Sequence, residues 1–145
     1  DQEIDRCSRF QTSLGLIMLD LDKFKKINDT YGHLYGDYIL KEVGKIIKEN
    51  VRTIDVVGRF GGEEFSVILV NTNVRDCIPL AKRIVEGINR KTFIFDGIAT
   101  NLTISAGMSG YPSMSKESKE LIKMADDAMY QTKKKGGNDV TIFQS

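Results

Sequence analysis

Cysteine is scarce in this chain. Cys7 and Cys77 are the only two, and they stand in no CxxC or other metal-ligand spacing. That argues against a disulfide framework or a thiolate metal site. It favours a reduced, cytoplasmic setting in which both thiols act as small hydrophobes. Long hydrophobic runs are missing too. The longest, Leu14 to Leu19, ends at Asp20, far short of the roughly 20 residues a helix needs to cross a bilayer. No signal peptide is visible. A parent protein anchored in a membrane stays compatible with this, since a chain opening at Asp1 reads as a piece of something longer. Nor is there an excess of one charge: 21 basic against 20 acidic residues leave a net +1, which gives no reason to expect nucleic-acid binding. His33 is the only histidine. It sits after Gly32, where a structural hydrogen bond is the expected role, not metal or base work. Repeats, linkers and low-complexity stretches are absent.

What remains is ordinary globular composition, 41% hydrophobic and 28% charged over 145 residues, read as one domain spanning 1–145. Residues 1–12, with Ile4, Cys7 and Phe10, suggest at most a short amphipathic helix. Residues 14–20 read as a strand buried on both faces. Lys23 to Asp29 suggests one or two helical turns and Thr30 to His33 a loop, and from Asp37 the residues Ile39, Leu40, Val43, Ile46 and Ile47 recur at helical spacing. Residues 54–70 read as a hairpin turning at Gly61-Gly62, because glycine reaches positive φ without a Cβ clash. Asn73 is the expected cap of a helix through Ile88, though Pro79 moves its regular part later. The alternation from Phe93 to Met108 predicts two strands joined at Asp96-Gly97. Ser118 to Lys135 predicts a last helix, stopped by Gly136-Gly137, before a strand from Val140 to Phe143. The order implies an α/β (α+β) domain with one central sheet of mixed direction.

Two acidic clusters carry the chemistry. Asp20 and Asp22 end the first strand on one face, and Glu63-Glu64 follow the glycine pair. Singly, each reads most simply as a solvated strand end or turn. Together they repel, and a hard divalent cation held by Asp20 and Glu63, with Asp22 as an optional third, would cancel that repulsion. Such a site suits phosphoryl transfer, where a metal orients phosphates and stabilises charge on the reacting oxygens.

Gly61-Gly62-Glu63-Glu64-Phe65 resembles the GG(D/E)EF signature of diguanylate cyclases. The run from Asp20 to Asp37 and the A-D-D-A-M-Y-Q-T-K from Ala125 to Lys133 resemble the same family, in its order and spacing. The resemblance implies a palm-like nucleotidyl cyclase fold, its five-stranded sheet mixed but largely antiparallel and flanked by helices, with a β-hairpin carrying GGEEF. It implies magnesium, or manganese in its place, on Asp20, the Leu21 carbonyl and Glu63. Asn28 and Asp37 would bind guanine. Lys25, Lys133 and the backbone amides at Phe24 would bind the triphosphate. Glu64 would be required for activity, at a second metal or at the attacking hydroxyl, and Asp22 would support the site without touching the metal. The implied reaction joins two GTP into cyclic di-GMP and two pyrophosphates across a homodimer, so that a monomer holds half a site. Arg52 and Asp55 match the family's RxxD inhibitory site, with Arg83 at a secondary arginine position, so the product would also be an inhibitor.

Two departures accompany the match. Gly136-Gly137-Asn138 replaces a G-R-N whose arginine reaches a phosphate, which predicts weaker GTP binding. The family's opening D-x-L-T-G-L-x-N-R is absent, which suggests that the chain begins inside the domain, downstream of a sensor or receiver domain and a dimerising helix. Two other readings stay open: a silent relative that binds cyclic di-GMP or GTP as a receptor, and an unrelated palm-like nucleotidyl transferase.

Overall fold

The computed structural model describes residues 12–59 and 61–144. The expected helix at 1–12 therefore lies almost wholly outside the described residues, as does Cys7. Strand β1 (Leu14–Leu21) is followed by helices α1 (Phe24–Tyr31) and α2 (His33–Asn50), and then by strands β2 (Val56–Arg59) and β3 (Glu64–Val70). A 3-10 turn (Val74–Cys77) leads into α3 (Ile78–Arg90). A small hairpin, β4 (Phe93–Phe95) and β5 (Ile98–Thr100), precedes β6 (Ile104–Tyr111), α4 (Ser118–Lys134) and β7 (Val140–Ile142). The sheet runs β2-β3-β1-β6-β7, antiparallel throughout except for the parallel pair β6–β7. This is the mixed, largely antiparallel five-stranded sheet anticipated above.

β1 is central, and its apolar run serves two cores. Ile17, Leu19 and Leu21 face a core shared with Tyr35, Ile39, Val43, Ile47 and Ile84 from α2 and α3. Leu14, Leu16 and Met18 face a second core beneath Leu121, Ala125 and Met129 of α4. Each such buried side chain contributes about 1.5–3 kcal/mol relative to exposure. α4 lies unusually close to the sheet because Gly107 has no side chain. A Cβ there would run into the Met129 amide and the Ala125 carbonyl.

Several boundaries differ from the sequence reading. α2 begins at His33 rather than Asp37, with Gly32 at φ 92 making a one-residue break in place of a loop. Asn73 does cap, its side chain accepting from the Asp76 amide, but it caps the 3-10 turn. The regular helix α3 starts at Ile78 with Pro79 in its first turn, where no amide is needed. Residues 92–110 form three strands instead of two. Asp96 and Gly97, both at positive φ, close a short hairpin that packs off the main sheet, and β6 is separate from it. Gly62 lies outside the left-handed range, so positive φ is not why it is glycine. Its Cβ position is open space, leaving the backbone bare. Buried Cys77 is a packing residue, its thiol pushed up to about 12, chiefly by burial.

Candidate active site

The chemistry gathers where β1 ends. Antiparallel pairing puts Asp20 opposite Glu64 on β3 and opposite Ser105 on β6, so all three side chains share the α4 face of the sheet. Beyond Leu21 the chain turns through Lys23, at φ 59, into α1. No side chain caps α1, so its first amides are free to meet an anion.

Phe24, Lys25 and Asn28 of α1, His33, Asp37 and Leu40 of α2, and Arg59, Gly62 and Glu63 of the hairpin line one open cavity of about 350 Å³. Thus Phe24, Lys25, Asn28, Asp37 and Glu63, singled out from sequence, meet at one place. α1 and α2 can close on each other here because Gly36 lacks a side chain. A Cβ would collide with Asn28 Oδ1 and lie 3.0 Å from the Phe24 ring. Arg59 was not foreseen. Its guanidinium donates to the Gly62 carbonyl at 2.8 Å and ties the glycine turn to the cavity rim. Leu40 supplies an apolar lining residue that only the fold could place. A larger depression of about 510 Å³ lies between α4 and β7 and shares no residue with this one.

Asp20 and Asp22 differ sharply. The Asp22 carboxylate accepts from Thr103 Oγ1 and Ser105 Oγ at 2.6 Å each, from the Asn138 amide at 2.9 Å and from Lys133 Nζ at 3.0 Å. Burial alone would push its carboxyl up, but those hydrogen bonds together hold it below the usual carboxylate range. Asp20 Oδ1 is buried with no hydrogen-bond partner, and Lys133 Nζ stands 3.7 Å away. Burial pushes the Asp20 carboxyl up. Lys133 opposes this, Glu63, Glu64 and Asp22 reinforce it, and the result is about 7. Glu64 is also raised, first by burial and then by Asp126 of α4, which shares a hydrogen bond with it. Thr103, Ser105 and Asp126 were all missed. The two hydroxyls had one legible signal, spacing of two on a strand, but their facing Asp22 needed the register of β1 with β6.

The residues fit a divalent cation. An orphaned, buried carboxylate oxygen beside the Leu21 carbonyl, with Glu63 near enough to repel Asp20, is a hard-oxygen set without its positive charge. Among the described residues no group of three His, Cys, Asp or Glu side chains could hold a metal.

A family model described as the GGDEF domain of diguanylate cyclases matches residues 1–139. The chain belongs to the GGDEF domain family. Diguanylate cyclase A of Treponema denticola is 44% identical over 133 residues, covering 92% of this chain and 36% of that protein. DgcS, a diguanylate cyclase of Shewanella oneidensis, is 41% identical over 136 residues, covering 93% and 44%. The chain therefore spans less than half the length of these relatives. Among solved structures, the GGDEF domain of YfiN (TpbB) from Pseudomonas aeruginosa superposes with a TM-score of 0.93 at 27% identity, covering 99% of this chain and 90% of that one. The active GGEEF domain of a Vibrio cholerae diguanylate cyclase superposes at 0.91 with 29% identity, covering 99% and 91%. The GGDEF domain of DgcB from Caulobacter crescentus, solved with cyclic di-GMP, gives 0.89 at 27% identity, covering 98% and 84%.

In this GGDEF domain the Arg52–Asp55 pair lies at the far end of β3 from the glycine turn, and it is spent locally. Asp55 has a fully buried side chain that accepts from the Arg52 amide and guanidinium and from the Val70 amide. Arg52 also donates to the Val70 carbonyl and to Thr72 Oγ1. Burial would raise the Asp55 carboxyl, but these bonds outweigh it and hold it below the usual range. Arg52 and Arg83 line one shallow depression of about 210 Å³. His33 is exposed and lines the 350 Å³ cavity. Gly137, at φ 76, faces Asp22, whose carboxylate a Cβ would meet at 2.5 Å. No helix among the described residues is long and apolar enough to cross a membrane.

Proposed function

We propose that the domain is a magnesium-dependent diguanylate cyclase, condensing two GTP into cyclic di-GMP with release of two pyrophosphates. The observation that carries this is the meeting of Phe24, Lys25, Asn28, Asp37 and Glu63 around one cavity beside an unpartnered Asp20 oxygen. Asn28 and Asp37 recognise guanine, whose N1–H and N2–H₂ donors suit a carboxylate and an amide and are not offered in that pattern by adenine. Lys25, the free amides at the start of α1 and Lys133 take the triphosphate. Asp20, the Leu21 carbonyl and Glu63 hold magnesium or manganese, which when bound neutralises charge on the phosphate oxygens.

The 3′-hydroxyl of one GTP attacks the α-phosphorus of the other; the new ester bond forms as the bond to pyrophosphate breaks. Glu64, with its raised proton affinity, is suited to take up the hydroxyl proton. One chain holds one nucleotide, so turnover needs two chains face to face, and positioning supplies much of the catalysis. Bare backbone at Gly62 leaves room for phosphates to pass over the hairpin. Arg52, Asp55 and Arg83 form a product-binding inhibitory site, and an upstream sensor or receiver domain in the parent protein sets dimerisation. The domain works in the cytoplasm, where GTP is.

The test is conversion of GTP with magnesium as a function of protein concentration, with Glu63→Gln as the control. Cyclic di-GMP formation rising faster than linearly and lost in Glu63→Gln is the expected result. GTP binding without product, even when the domain is fused to a dimeric coiled coil, would overturn the reading in favour of a silent receptor.

A further inference from the structure

The ammonium of Lys133 donates to the Leu21 carbonyl at 3.2 Å and to Asp22 Oδ1 at 3.0 Å, and lies 3.7 Å from Asp20 Oδ1. Two of those oxygens, the Leu21 carbonyl and Asp20, are the ones assigned above to the divalent cation. A monovalent ammonium and a divalent ion cannot both crowd the same carbonyl and carboxylate, because like charges at such separations repel strongly in a partly buried site. We propose that Lys133 is the resident counter-ion of the Asp20 and Leu21 oxygens in the nucleotide-free domain, and that a divalent cation binds there only as the lysine turns away toward the triphosphate. This rests on the reading of Asp20, Leu21 and Glu63 as the metal-holding groups.

The surroundings support an exchange over a fixed bridge. Lys133 belongs to the last turn of α4, four residues beyond Met129, where that helix closes on Gly107. Its four-carbon stem is free to pivot at the tip. Asp22 keeps three hydrogen-bond donors without the lysine, since Thr103, Ser105 and the Asn138 amide remain. Asp20 has no such reserve: Lys133 is the one cation paired with it among the described residues, and its bond is too long to satisfy Oδ1. The lysine therefore holds the metal place loosely and the Asp22 place tightly. Metal alone must bind beside an ammonium that Asp22 keeps within reach of the same oxygens. GTP supplies phosphates that accept the ammonium, so nucleotide and metal strengthen each other's binding by the same factor.

The experiment is Mn²⁺ binding, read from the paramagnetic resonance signal of the free ion, in mildly alkaline buffer where carboxylates are charged. The full domain is titrated with and without saturating 3′-deoxyguanosine triphosphate, which has no 3′-hydroxyl and cannot react. Lys133→Met and Lys133→Gln, each checked for a cooperative melt, should bind Mn²⁺ without nucleotide at least about fivefold more tightly than the parent, the low end of typical coupling between sites. Nucleotide should tighten Mn²⁺ binding strongly in the parent and much less in both variants. Adding Asp20→Asn to Lys133→Met should remove the gain. Equal or weaker nucleotide-free binding in both folded variants would overturn the proposal while leaving the metal site standing. If Asp20→Asn leaves Mn²⁺ binding to the nucleotide-loaded parent unchanged, the metal-site reading itself fails and the proposal falls with it.

Discussion

The two ends of the β3 hairpin treat a carboxylate in opposite ways. Near the glycine turn, Asp20 keeps a buried oxygen without a hydrogen bond and a carboxyl pushed up to about 7. At the far end, Asp55 is sealed from solvent, its two oxygens accept from Arg52 and from the Val70 amide, and its carboxyl is held below the usual range. Asp20 is singled out by its acidic cluster and by the family resemblance, Asp55 by the resemblance alone. The difference is that one is held ready for a positive partner and the other has already found its partners within the chain. A ligand at Asp20 relieves a cost; a ligand that reaches for Asp55 must first break bonds.

The sharpest way to break that contrast is Asp20→Asn. GTP turnover should fall by at least about two orders of magnitude, since the charge proposed to hold the cation is lost. Stability should not fall with it. In metal-free protein the melting temperature of Asp20→Asn should match or exceed the parent above pH 7, because the raised carboxyl stabilises the fold only while protonated. That contribution is present at acid pH and fades as pH rises toward about 7. A variant that loses both activity and stability would show that Asp20 is a structural acid like Asp55.

Asp55→Ala should do the reverse. It strips the Val70 amide and half-exposed Arg52 of a shared acceptor and should cost about 2–3 kcal/mol of unfolding free energy by denaturant titration. The sign of the pH effect is also opposite. A depressed carboxyl contributes stability at neutral pH that is lost as pH falls below the ordinary carboxylate range, so the parent should show an acid slope that Asp55→Asn lacks. Turnover at low product concentration should change little once the protein is kept folded. Equal stability in Asp55→Ala and the parent would mean that the bonds around Asp55 are dispensable and a ligand could take them freely.

Much of this was legible beforehand because periodicity reports burial. The apolar run of β1, the helical spacing in α2 and the positions of Asp20, Asn28, Asp37 and Glu63 follow from pattern and motif. What stayed hidden depends on register and close approach. Thr103, Ser105 and Asn138 reach Asp22 only because β6 pairs with β1 and because 136–138 turn through positive φ. The same holds for Gly137. The sequence reading takes it as a missing phosphate-binding arginine; the fold adds that the Asp22 carboxylate occupies the space of a side chain there. Gly137→Arg should therefore cost about 1–3 kcal/mol of stability, as should Gly137→Ala, through strain at φ 76 and displacement of Asp22. GTP affinity measured in both separates the effects: a gain in the arginine variant alone would show that the missing cation matters despite the strain.

The smallest effect tests how rigidly Asp22 is held. Thr103→Val removes one hydroxyl of the four groups that donate to it, leaving Ser105, Lys133 and the Asn138 amide in place. A single hydrogen bond to a charged acceptor with others in reserve should cost about 1 kcal/mol. The Asp22 carboxyl should titrate slightly higher than in the parent, still below the usual range, when followed by NMR. Because Asp22 and Asp20 share Lys133, loosening one should tighten the other: with a hydroxyl gone, the ammonium is drawn more fully to Asp22 and away from Asp20. Nucleotide-free Mn²⁺ binding should then rise modestly, in the direction of Lys133→Met but well short of it. A fall instead would mean that Asp22 positions Asp20 directly, and that the two carboxylates at the end of β1 act as one unit.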